Sequence, residues 1–258
     1  MGEELYIELP TKEYLCGHLA KPQKMVPALN ETMVLFLHNF PGNQDGSGGV
    51  FKELQDSLSA QNIASLRFDF RHCGKSDGKP TDFSLQSALD DVKTVLVWIE
   101  GQGYRRVIIV GEGLGALFCV CLSDLPSCVK GCAMLWPALN VPIILNEYYG
   151  VKKQAVLLEE HGYLRHGDYA VGQGFVKDLE NLPLQRKMKE FSLPTLALHG
   201  TNDNVISFEN IEKVRRFLGA RRIDIVSFEG GGHGLDKPAE RKALSTHIFH
   251  FAERFARK

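Results

Sequence analysis

The pentapeptide Gly111-Glu112-Gly113-Leu114-Gly115 stands directly behind the apolar run Val107-Ile108-Ile109-Val110. A strand-to-helix turn of the form G-x-S-x-G is so sharp that its central residue is held in strained backbone geometry, and its side chain is presented as a nucleophile. Glycine adopts such geometry without steric cost. Gly113 therefore suits the turn while offering no oxygen or sulfur to attack a carbonyl. The pattern predicts a site built for acyl transfer with its nucleophile position vacant at Gly113.

Two later loops carry the partners that such chemistry needs. Asp203 lies in His199-Gly200-Thr201-Asn202-Asp203-Asn204-Val205, behind the apolar Leu196-Ala197-Leu198, and His233 lies in the glycine-rich Phe228-Glu229-Gly230-Gly231-Gly232-His233-Gly234. In serine hydrolysis the histidine takes the hydroxyl proton, the aspartate fixes the imidazole, and backbone N–H groups hold the tetrahedral intermediate. The donors expected here are the N–H groups of Phe40 and Leu114, converging with His233 and Asp203 on an empty space beside the Cα of residue 113. Losing a triad member costs roughly a millionfold in turnover, and about 10³–10⁴ over water survives from the oxyanion donors and binding. Water held on His233 is then the remaining route to slow hydrolysis. Glu112 leaves the turn in a different direction from residue 113 and is a poor substitute nucleophile. Cys119 and Cys121 belong to a helical core face, Ser76 to a turn, and His38, His72 and His199 to loops that they order by hydrogen bonding.

Together with three further segments, this order of elbow, acid and histidine resembles the α/β-hydrolases, and within them the small bacterial cinnamoyl (feruloyl) esterases. Leu37-His38-Asn39-Phe40-Pro41-Gly42-Asn43 resembles the H-G-F-x-G-N oxyanion loop of that family. Arg67-Phe68-Asp69-Phe70 with Gly74-Lys75-Ser76-Asp77-Gly78 resembles its R-F-D-F-x-x-x-G-x-S-D-G segment, and His199–Val205 its H-G-T-x-D-x-V acid loop. Gly172-Gln173-Gly174-Phe175 through Leu182-Pro183 resembles the end of its cap, which implies substrate-binding roles for Tyr169 and Gln173. The resemblance covers nearly the whole chain and departs from the family at two positions. Gly113 replaces the serine, and Asn39 replaces a glycine of the oxyanion loop, a milder change because backbone donors do not depend on the side chain at 39 and asparagine tolerates positive φ.

The elements that must position these residues read as an α/β fold, a mainly parallel sheet with crossover helices. Strands are expected over Val34–Leu37, Ala64–Phe68, Val107–Val110, Ala133–Trp136, Thr195–Leu198 and Ile223–Val226, with an edge hairpin from Leu5–Leu9 and Tyr14–Leu19. Helical apolar spacing covers Phe51–Ala60, Ser84–Glu100, Leu114–Leu122, Phe208–Leu218 and Ala239–Ala256. Ser84 is the expected N-cap of its helix. Val141–Phe191 separates two strands by about 50 residues, far more than a βα connection needs. We expect a hydrolase core over residues 1–140 and 192–258 and a cap over 141–191, its aromatics Tyr148, Tyr149, Tyr163, Tyr169 and Phe175 either covering a ligand or packing the cap down.

With 258 residues the chain buries a large core unaided. Thirty Lys and Arg against 31 Asp and Glu leave a formal charge of −1, which gives no global attraction to nucleic acid or an anionic membrane. The acidic, alternating start is unlike a signal peptide, so a cytoplasmic protein is expected. Cys119, Cys121, Cys128 and Cys132 have the wrong spacing for zinc and read as buried thiols. No metal or cofactor is implied, a small ester or apolar ligand is the expected partner, and the large, partly apolar cap is a candidate homodimer surface. Two functional readings follow: a cinnamoyl-esterase-like scaffold with little or no ester hydrolysis because its serine is replaced, or a non-catalytic pseudo-hydrolase that binds an apolar ligand or a protein.

Overall fold

The computed structural model describes residues 2–24, 26–27, 29–219 and 222–256, so both outer limits of the expected core lie outside the described residues. The chain opens with β1 (Glu3–Glu8) and β2 (Tyr14–Ala20), an antiparallel hairpin with Glu8 opposite Tyr14. Then β3 (Thr32–Leu37), α1 (Val50–Ala60), β4 (Ala64–Phe68), α2 (Leu85–Gly101), β5 (Arg106–Glu112), α3 (Leu114–Cys121) and β6 (Val129–Leu135) follow in alternation. The insertion holds α4 (Val141–Ile143), which runs into a π-helical turn over Ile144–Tyr148, then α5 (Ala155–His161), the hairpin β7 (Tyr163–His166) and β8 (Tyr169–Gly172), α6 (Gln173–Glu180) and α7 (Leu184–Glu190). The chain returns to the core with β9 (Thr195–Gly200), α8 (Glu209–Phe217), β10 (Ile223–Phe228) and α9 (Pro238–Ala256).

These strands form one eight-stranded sheet in the order β1-β2-β4-β3-β5-β6-β9-β10, parallel from β4 to β10. The central strands are continuous apolar runs because helices cover both faces; every residue of β3 and β4 is buried. Helix α1 turns Phe51, Leu54 and Leu58 inward at the helical repeat. Helix α3 is buried along its whole length, consistent with its uniformly apolar sequence. Ser84 caps α2 as its position predicts: its hydroxyl accepts from Ser87 N–H at 3.0 Å, while the Ser87 hydroxyl accepts from Ser84 N–H at 3.1 Å.

Two strand limits differ from the pattern in ways that matter for the site. β5 runs past Val110 to Glu112 because Gly111 and Glu112 still pair with Met134 and Leu135. β6 stops at Leu135, since Trp136 takes φ 36° and turns the chain out of the sheet. Both changes carry backbone to the carboxyl edge of the sheet, where open α/β sheets place their ligands. The six cysteines are buried and free, with Cys119 Sγ 3.0 Å from Cys132 Sγ. No helix among the described residues is long and apolar enough to cross a membrane.

Candidate active site

Gly113 lies between β5 and α3 at φ 53°, ψ −115°, a conformation that side chains rarely adopt. Its N–H donates to Leu135 O at 3.0 Å, and its carbonyl accepts from Ala138 N–H at 3.0 Å, so β6 and the residues after it lock the turn. The flanking glycine at 115 has a steric reason: a Cβ there would sit 2.0 Å from Leu37 O. The bend of a nucleophile elbow is thus fully formed around a residue without a side chain.

Asp203 and His233 meet as the chain order predicts. His233 Nδ1 lies 2.9 Å from Asp203 Oδ2, and Asp203 Oδ1 accepts from the N–H groups of Val205 and Ile206, each at 2.8 Å. A carboxylate acceptor on Nδ1 fixes the proton there and leaves the Nε2 lone pair free, the tautomer a general base requires. Burial raises the Asp203 pKa, but the His233 hydrogen bond and charge and the two backbone donors outweigh it, so the carboxyl sits below its ordinary value. The Trp136 indole meets the His233 ring edge-on at 5.8 Å between centroids, and the same short segment supplies the Ala138 N–H that holds Gly113. His199, by contrast, is wholly buried and donates from Nδ1 to Gly200 O at 2.9 Å.

The space beside Gly113 is not empty, and here the expectation of a vacant position is corrected. Asn39 fills it. Asn39 Oδ1 accepts from Leu114 N–H at 3.0 Å, the interaction expected for a substrate oxyanion, and lies 2.8 Å from where a Cβ on Gly113 would stand. Its Nδ2 donates to Tyr148 Oη at 3.0 Å. Asn39 does not exploit positive φ; it is absent from the residues at positive φ, and its side chain does the work instead. Neighbouring groups hold it in place: Asn39 N–H points at Glu112 Oε1 at 3.4 Å, and His38 Nδ1 donates to Asn39 O at 2.6 Å. The His38 tautomer follows from Phe70 N–H donating to Nε2 at 3.1 Å, and burial keeps this ring neutral by lowering its pKa.

Phe40 is anchored through its ring and its carbonyl. Its ring is buried in a stack on Phe83, centroids 3.8 Å apart and 6° from parallel, with Phe175 of the insertion edge-on at 5.0 Å. Its carbonyl accepts from Tyr149 Oη at 2.7 Å. Of the two expected oxyanion donors, Leu114 N–H alone donates to the Asn39 amide. Glu112 is buried with its carboxylate turned to the 39–47 loop, accepting from Ser47 N–H at 3.0 and 3.1 Å. Burial raises its pKa against the pull of those donors and of His233.

A cavity beside the elbow is lined by Asn39, Leu114, Ala138, Ile144, Tyr148 and Ile206, among others, and measures about 20 Å³. That is room for about one water, whereas small-molecule sites run to about 300–1,000 Å³. Tyr169 and Gln173 are not on its wall. Tyr169 is 40 % exposed on β8, and Gln173 opens α6 with its N–H on Gly162 O. Tyr148 lines this cavity, and Tyr149 is buried with its hydroxyl on Phe40 O. The sequence marks both as aromatics of the insertion; the π-helical turn that sends one ring to Asn39 and the next hydroxyl to Phe40 has no signature in composition or period.

Comparison with known proteins agrees with this architecture. Residues 32–190 match the family described as alpha/beta hydrolase fold. The protein YfhR of Salmonella typhimurium is 26% identical over 189 residues, 70% of this chain and 57% of that protein, so the chain spans little more than half of that relative's length. Palmitoyl-protein thioesterase ABHD10 of Mus musculus is 20% identical over 218 residues, 80% of this chain and 70% of the relative. Among solved structures, Est1E from Butyrivibrio proteoclasticus with ferulic acid bound superposes with a TM-score of 0.82 at 20% identity, covering 96% of this chain and 97% of the other. The matched span and the eight-stranded sheet agree: this chain belongs to the alpha/beta hydrolase family.

Proposed function

We propose that the chain is a catalytically silent member of the esterase and thioesterase branch of its family, an acyl-transfer scaffold that occupies its own acyl site. One observation carries the reading: the Asn39 carboxamide sits on Leu114 N–H, in the space that nucleophile and substrate carbonyl would share. Gly113 removes the attacking atom, and Asn39 removes the place where the attacked atom would rest. Asp203 and His233 remain paired, but general-base catalysis needs a reacting group within hydrogen-bond reach. The mouse relative named as a palmitoyl-protein thioesterase and the ferulic-acid-bound Est1E support acyl esters or thioesters as the class that this architecture was shaped around. Residues 141–191 act as a cap in this reading, held over the elbow by Tyr148 and Tyr149.

The test is turnover of p-nitrophenyl acetate, p-nitrophenyl butyrate, methyl ferulate and an acyl-coenzyme A thioester by the purified chain. We expect no rate above the uncatalysed background, and no change in His233→Ala. Turnover by the unmodified chain that disappears in His233→Ala overturns the proposal and assigns a water-based hydrolysis to that imidazole.

A further inference from the structure

A second concave feature lies outside the elbow. It is a groove of about 700 Å³ between α7, α8 and the start of the insertion, more than thirtyfold larger than the cavity beside the elbow and in the range of small-molecule sites. The half-buried Val141, Leu182 and Phe217 supply apolar surface to it, above the buried Leu139 and Met188. Among the described residues its charged lining is Arg186, Lys189 and Lys213, with no carboxylate. Arg186 is paired with Glu190 at 2.9 Å, an exposed bridge of little net worth. Lys189 and Lys213 have no ion-pair partner among the described residues.

The base of the groove is held by fixed contacts. Leu139 N–H donates to Asn210 Oδ1 of α8 at 2.8 Å, and Gly219 N–H donates to Met188 O of α7 at 2.8 Å. Asn140 belongs to the walls of both this groove and the cavity beside the elbow, so the two adjoin. On a chain with net charge −1, a concavity whose only charges are cationic is a local property and selects for an anion. Apolar surface beside unpaired ammonium groups selects for an anion attached to a hydrocarbon chain.

We infer that this groove binds a soluble single-chain amphipathic anion, an alkyl carboxylate with its head at Lys189 and Lys213 and its chain along Val141, Leu182 and Phe217. The inference does not depend on whether the elbow hydrolyses anything, because neither lysine touches the elbow.

The experiment is calorimetric titration of the full chain with hexanoate, octanoate and decanoate, each below its micelle concentration, and with decyltrimethylammonium as the cationic control. Saturable one-to-one binding of decanoate is expected, with affinity rising roughly two- to fourfold per methylene through the series. The double variant Lys189→Glu/Lys213→Glu, a surface change checked for folding by circular dichroism, should weaken decanoate roughly tenfold or more. Equal affinity for decanoate and decyltrimethylammonium, or decanoate binding untouched by the double variant, overturns the assignment. So does self-association of the chain, or sedimentation with phosphatidylglycerol vesicles, in place of decanoate binding.

Discussion

Asn39 Oδ1 lies 2.8 Å from the point where a Cβ on Gly113 would be, a separation that real Cβ atoms essentially never show. A side chain at 113 and the Asn39 carboxamide therefore compete for one volume. A serine at 113 and an asparagine at 39 in its present rotamer exclude each other.

Gly113→Ser alone should then restore no esterase activity and should cost roughly 1–3 kcal/mol in stability through overpacking. Asn39→Gly alone should remain inactive for lack of a nucleophile. Combined, the two should hydrolyse p-nitrophenyl acetate on the order of 10³-fold or more above the unmodified chain, since Asp203 and His233 are already paired. Initial rates for the three variants decide it; a single Gly113→Ser as active as the double would show that Asn39 is no obstacle.

Asp203 has a structural task apart from chemistry, because its two oxygens take Val205 N–H, Ile206 N–H and His233 Nδ1. Asp203→Ala should lower unfolding free energy by about 1–3 kcal/mol in urea, as expected when one buried and two part-buried donors lose a charged acceptor. The carboxyl's folded pKa is depressed below 3.8, so its contribution is complete above that pH and fades as pH falls through the depressed value. Acid unfolding followed by circular dichroism should shift to higher pH in Asp203→Ala.

Asp91 on α2 should act with the opposite sign. Its buried carboxyl is pushed up to about 7 by loss of solvent, against the hydrogen bonds and charge of Arg71, whose N–H donates to Oδ2 at 2.7 Å and whose Nη2 donates to Oδ1 at 2.9 Å. A folded value above the unfolded 3.8 means that the native chain holds a proton which the unfolded chain releases. This group's stabilisation is thus full below 3.8 and is lost as pH rises to about 7. Urea midpoints across that range should fall with pH more steeply in the unmodified chain than in Asp91→Asn.

Tyr148→Phe removes the acceptor of Asn39 Nδ2, and Tyr149→Phe removes the donor to Phe40 O. Each should cost about 0.5–1.5 kcal/mol, with the buried Phe40 carbonyl the more sensitive. A double-mutant cycle between Tyr148→Phe and Asn39→Ala should return a coupling of similar size, whereas a cycle between Tyr148→Phe and Asp203→Ala should return close to none.

Much of the fold is legible in the sequence, for physical reasons. Continuous apolar runs such as Val107–Val110 mark central strands, Ser84 announces a helix start, and a long gap between strands announces the insertion. The Asp203–His233 pair was readable because a loop closing each of β9 and β10 brings both to one edge of the sheet. The Asn39 carboxamide was not readable. A loop residue's type says what its side chain can bond to, and says nothing of the rotamer, which Leu114 N–H and Tyr148 Oη set from residues 75 and 109 positions away. For Tyr169 and Gln173 the resemblance fixes a place in the chain and not in space, whereas the π-helical turn after α4 carries Tyr148 to the cavity beside Leu114.

Tyr148 and Tyr149 fasten Asn39 and Phe40, two adjacent residues gripping two adjacent residues across 109 positions of sequence. A lone contact between two segments is a pivot, about which either can swing; a pair side by side fixes orientation as well as distance. Displacement of the Ile144–Tyr148 turn must in consequence be felt at Leu114 N–H, through the amide that it holds. The elbow of this chain is thereby joined to the insertion in orientation as well as in distance.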